Sequence, residues 1–183
     1  MALLPILTAP DPRLKRKALP VERVDAAVVR LMNDMVETMY AAPGIGLAAP
    51  QVGVLKRVIV VDPAREGEAP RPMRLANPEI LWASEETKPY EEGCLSVPEQ
   101  YDTVVRPAQV KVAYLDETGT AREIEADGLL AVVLQHEIDH LNGTLFVDHL
   151  SALKRGMLLR RAKKATRSGG PRRAAGEETG VVA

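Results

Sequence analysis

The stretch that most restricts how this 183-residue chain can fold is residues 127–143, DGLLAVVLQHEIDHLNG. It reads as one helix, with Asp127 as candidate N-cap and a stop at Asn142-Gly143. The first half is apolar on nearly every face, which predicts a helix buried in the fold. The second half carries Glu137 and two of the chain's three histidines, His136 and His140. Burying such groups without partners is costly, so whatever surrounds this helix must satisfy them.

Positions i and i+4 share one helix face, so His136 and His140 can present a ring nitrogen each to one ion. Glu137 lies about 100° round from His136, close enough to serve a metal-activated water without being a ligand. The competing reading is a pair of helix-surface histidines, which the buried context disfavours. Two histidines need a third ligand. A longer metalloprotease pattern, H-E-x-x-H-x-x-G-x-x-H, is met at Gly143 but fails at Phe146. Glu177 and Glu178 fall in a tail expected to be disordered. That leaves His149 and Cys94, the only cysteine. Either could be structural: His149 a surface histidine, Cys94 an inert core thiol. As a thiolate, Cys94 would complete a Cys-His-His set with a fourth position open, as catalytic sites require.

The rest of the chain supplies the frame. Residues 24–44 place Val28, Leu31, Met32, Met35 and Met39 at helical spacing before Pro43-Gly44. RVIVVD, LANPEILW, VKVAYLD and AREIEA read as strands, with a DETG turn between the last two. The expected fold is α+β: one compact domain, antiparallel strands around a central metal-binding helix. Residues 1–165 are expected to form it, including a basic helix at about 151–164, with 166–183 a disordered tail. Nine of the 24 basic residues and two of the 25 acidic ones lie beyond residue 153, so a basic end follows an acidic body. That suggests an anionic partner such as nucleic acid, the alternative being a merely solvated end. A lone cysteine permits no internal disulfide and fits a reducing cytoplasm. The opening MALLPIL lacks a basic flank and is broken by Pro5, a poor secretion signal.

Three segments, GIGLAAPQ (44–51), EGCLS (92–96) and QHEIDH (135–140), together resemble the motifs of the bacterial peptide deformylases, without substitution and in the same order. The resemblance runs from about Pro5 to Lys164. It implies the peptide deformylase fold, and Cys94, His136 and His140 as metal ligands with Glu137 as general acid/base. It also implies Gln51 and the Leu95 N–H as oxyanion donors. The activity implied is removal of the formyl group from the N-terminal methionine of nascent polypeptides in the cytoplasm. The metal would be Fe2+, one per chain, with Zn2+, Ni2+ or Co2+ able to substitute. Gly44 and Gly46 would let the backbone approach an extended peptide. Ile45, Tyr90, Leu129, Val132 and Val133 would form the methionine pocket, Tyr90 departing from the aliphatic residue expected there. Tyr101 stands where some relatives carry arginine. A monomer is expected, with ribosome docking through the basic helix. The alternatives are another metallopeptidase or amidase using the same constellation, or a closed structural metal site with His149 as fourth ligand.

Overall fold

The computed structural model describes residues 2–64, 67–168 and 180–182. Among them are three α-helices, α1 (Ala26–Ala41), α2 (Gly128–Leu141) and α3 (Ala152–Ser168). The strands are β1 (Gly46–Ala48), β2 (Val58–Val61), β3 (Met73–Ala83), β4 (Thr87–Cys94), β5 (Val97–Pro107), β6 (Gln109–Leu115), β7 (Ala121–Asp127) and β8 (Gly180–Val182). An antiparallel sheet runs β1-β2-β3-β6-β7, and a second sheet runs β5-β4-β8, with β8 parallel to β4. This is the expected α+β architecture.

Helix α2 is the centre. Every side chain from Ala131 to Ile138 is buried, as are His140 and Leu141. Its aliphatic residues share one cluster with Ile59, Val61, Leu75, Val110 and Val112 of the larger sheet. Helix α1 closes a second cluster with Val28, Met32, Met35 and Met39, and Asp25 caps it by accepting the N–H groups of Ala27 and Val28. Both helices follow from their apolar spacing.

The start of α2 differs from expectation. Asp127 occupies the N-cap position, but its side chain makes no capping hydrogen bond. Asp127 is also the last residue of β7, paired with Gln109, and the strand passes into the helix with no loop between. Gly128, with φ of +52°, makes that sharp change of direction.

The C-terminal region also departs in part. Helix α3 continues to Ser168, and Gly180–Val182 form a strand within the stretch expected to be disordered. Residues 169–179 and Ala183 lie outside the described residues. Leu158 and Ala162 fasten α3 into a third cluster with Val97, Val104 and Phe146, whereas Leu153 is 79% exposed.

Where α2 ends, Gly143 adopts a φ of +75°, and a Cβ there would sit 2.5 Å from the Lys15 carbonyl oxygen. The N-terminal segment therefore crosses the helix end at a distance only glycine allows. Gly143→Ala is expected to cost about 1–3 kcal/mol through the strained backbone conformation and the clash together. Urea denaturation checks this, a shift of the midpoint at unchanged slope being the expected result.

Candidate active site

Three side chains from distant parts of the chain converge beside α2. Cys94 is the last residue of β4, and a two-residue turn, Leu95-Ser96, leads into β5. The β4–β5 register breaks between Gly93 and Cys94, and such a bulge re-aims the side chain that follows it. Cys94 Sγ lies 3.3 Å from His140 Nε2, which lies 3.2 Å from His136 Nε2. The three potential ligand atoms all lie within 4.8 Å of one another and all three residues are buried, so one ion could bind them together.

The electrostatics fit a cation at that point. Burial pushes the Cys94 thiol far above its ordinary range, and the charges of Glu137 and Glu92 add to the effect. Burial likewise raises Glu137 well above a normal carboxyl, with Glu92 contributing, and lowers His140, with His136 contributing. A divalent ion reverses this balance, because a coordinating thiol loses its proton outright. Both Glu137 oxygens are buried and without a hydrogen-bond partner among the described residues. A bare carboxylate beside a ligand set suits a proton carrier.

Gln51 is held with its amide nitrogen toward this centre. The Ala48 N–H can only donate, and Gln51 Oε1 accepts it at 2.8 Å. Gln51 Nε2 then donates to Cys94 Sγ at 3.6 Å and Ser96 Oγ at 3.2 Å. Leu95 follows Cys94 in the turn, so its backbone is adjacent to the same centre. Gly46, expected to make room for a peptide, has a further reason to be glycine: a Cβ there would run into the Glu137 carboxylate. Gly44 packs against the Leu95 side chain, where a Cβ would lie 2.8 Å from Cδ1. Ile45, Tyr90 and Leu129 are partly buried against the large apolar cluster that contains Val132 and Val133.

His149 does not join the ligand set. Its Nε2 bonds Asp139 Oδ2 at 2.8 Å on the exposed side, which removes it as a fourth ligand. Phe146, where a third histidine would stand in the longer protease pattern, is buried and stacks on His136 with ring centroids 6.2 Å apart.

Sequence reading missed the support beneath the site. Glu92 is fully buried, and His136 Nδ1 donates to its Oε2 at 2.9 Å. Arg106 grips both oxygens, Nε to Oε1 at 2.5 Å and Nη2 to Oε2 at 3.0 Å, while its Nη1 reaches Asp139 at 2.9 Å. Burial acts to raise the Glu92 carboxyl, but His136 and Arg106 overcome it and hold the group at about 2. The bond to Nδ1 turns the His136 Nε2 toward Cys94 and His140, as outer-shell carboxylates do for metal-bound histidines. A signal was available: Glu92 opens the same EGCLS segment that supplies Cys94.

A buried helix with two histidines, a strand-end cysteine and an unpaired glutamate define a metal-dependent hydrolase. The family model described as polypeptide deformylase matches residues 3–156, and the chain belongs to this family. The peptide deformylase of Phenylobacterium zucineum is 61% identical over 164 residues, covering 90% of this chain and 97% of that one. The Agrobacterium fabrum peptide deformylase is 54% identical over 168 residues, 92% of this chain and 99% of that one. The crystal structure of the Ehrlichia chaffeensis peptide deformylase in complex with actinonin superposes with a TM-score of 0.87 at 46% identity, covering 91% of this chain and 99% of that one. That of Legionella pneumophila gives 0.86 at 49%, covering 93% and 100%.

The Glu92–Arg106 pair generates a prediction. Arg106→Met leaves a buried carboxylate with one partner fewer, and breaking such a pair from one side costs about 3–5 kcal/mol. Thermal unfolding of the variant should show that loss, while Lys111→Met, at the exposed pair with Glu123, should leave the midpoint nearly unchanged.

Proposed function

We propose that the chain hydrolyses the N-terminal formyl group of nascent formyl-methionyl polypeptides, with Cys94, His136 and His140 holding one Fe2+. The observation that carries this is the convergence of Sγ and two Nε2 atoms beside the unpaired Glu137 carboxylate. When bound, the metal supplies an activated water and polarises the formyl carbonyl. Glu137 accepts the water proton and returns it to the departing amine as the carbon–nitrogen bond breaks. Gln51 Nε2 and the Leu95 N–H donate to the oxygen on which charge develops, where fixed donors in a dry site act most strongly. The apolar pocket of Ile45, Tyr90, Leu129, Val132 and Val133 receives the methionine side chain, and Gly44 and Gly46 admit the peptide backbone. A soft thiolate with two imidazoles accepts iron or zinc alike, and Ni2+ or Co2+ could replace either.

We assign the catalytic unit to residues 1–165 of a cytoplasmic monomer, since formylated chains emerge in that compartment. Among the described residues no helix is long and apolar enough to cross a membrane. The exposed face of α3 carries Arg160, Arg161 and Lys163, which suits RNA phosphates at the ribosome. Because Leu158 and Ala162 anchor this helix, removing it would disturb the fold, and changing its charges is the cleaner test.

Three outcomes follow. Protein purified anaerobically should release formate from a formyl-Met tripeptide and leave the unformylated peptide intact; cleavage of the latter would favour a general metallopeptidase. Glu137→Gln should keep one equivalent of metal and lose about 10²–10⁴-fold in kcat, whereas Cys94→Ala should fall well below one equivalent by elemental analysis. Replacing Arg160, Arg161 and Lys163 by Glu should abolish ribosome co-sedimentation at low salt with short-peptide turnover unchanged.

A further inference from the structure

Strand β8 pairs along the edge of the strand that delivers Cys94. Gly180, Val181 and Val182 pair in parallel with Glu91, Glu92 and Gly93 of β4. The other edge of β4 is taken by β5, so β8 covers the edge that leads to Cys94, and it also lies close to α2. An extended peptide approaching the Cys94–His136–His140 centre needs main-chain partners, and β4 is the strand that delivers one of those three residues. Peptides add to exposed sheet edges through backbone hydrogen bonds that tolerate many sequences.

We propose that the chain's own segment Gly180–Val182 occupies this edge of β4 in competition with a substrate peptide. The inference rests on the deformylase reading for its substrate. Direction makes the segment an occluder. Strand β8 runs parallel to β4 and therefore toward Cys94, whereas a peptide whose formylated N-terminus lies at the centre must run away from it. The segment thus enters in reverse and offers Glu137 no formyl amide. The connection is long enough to act within one molecule: eleven residues separate Ser168 from Gly180, and an extended chain of that length spans about 36–40 Å. Composition suits the role, since Gly-Val-Val carries no charge and two β-branched residues. A competent fraction reduced by self-occupancy raises the apparent KM in proportion and leaves kcat intact, because saturating substrate displaces the segment.

The test compares the metal-loaded full-length protein with the full-length Val181→Pro/Val182→Pro variant. Proline has no N–H to give to β4 and is excluded from paired strands, while length and charge are retained. The variant should show a KM for a formyl-Met tripeptide about two- to tenfold lower at unchanged kcat, the range expected for a segment bound half to nine-tenths of the time. A chain ending at Ser168 should match it. Hydrogen exchange at the β4 amides from Glu91 to Gly93 should be faster in both variants, a readout independent of turnover. Equal KM and equal exchange in all three proteins would overturn self-occupancy while formate release still stood. Failure of all three to release formate, with faster exchange in the variants, would overturn the deformylase reading and leave the strand contact standing. A KM ratio that collapses on enzyme dilution would give the strand to a second copy and overturn self-occupancy.

Discussion

The buried carboxylate of Glu92 is the interaction on which the rest of the site depends. It lies where a lone charge would be intolerable, and it is tolerated because Arg106 and His136 approach it from two different elements. The contact ties β4 to β5 through the guanidinium and β4 to α2 through the imidazole. Arg106 extends the link to Asp139, one residue before His140, and Asp139 to His149. Both histidines of the ligand set therefore sit on a helix clamped by the same arginine. Replacing the network by apolar residues need not weaken the fold, since buried ion pairs are weak stabilisers in themselves. What it supplies is orientation: with Nδ1 engaged, His136 has only Nε2 to present.

Around that clamp the site combines groups whose protonation a low-dielectric interior distorts. Cys94 is pushed toward the thiol and Glu137 toward the neutral acid, both by burial first. A cation held between them shifts both balances at once, which couples metal binding to the readiness of the base. The close approach of Gly46 to the Glu137 carboxylate serves the same end by walling off one side of it. Strand β1 and helix α2 are thus fitted to each other around one side chain.

The two sheets divide the work. The larger one gives α2 an aliphatic bed that resists deformation, and the smaller one brings Cys94 to the helix on a bulged strand end. Helix α3 buttresses the smaller sheet through Leu158 and Ala162 while leaving Arg160, Arg161 and Lys163 exposed. One element thus packs on the body with one face and presents these three cations on the other.

By itself the sequence determined the helices and the histidine pair, because helical periodicity and i, i+4 spacing are local properties. Val28, Met32, Met35 and Met39 on α1, and the apolar run leading to His136 on α2, needed no tertiary information. Cys94 and His149 were both open as third ligand on residue type alone, and the three-motif resemblance pointed to Cys94. Tertiary structure decided what sequence distance hides. His149 was drawn off by Asp139, and the Glu92–His136 contact joins residues 44 apart. Asp127 closes the β6–β7 ladder and Gly128 turns the chain at a φ of +52°, and the Asp127 side chain caps no N–H of α2. Strand β8 was illegible as well. Two valines after a glycine in a polar tail acquire structure only from the edge they meet, and nothing in the tail encodes that edge.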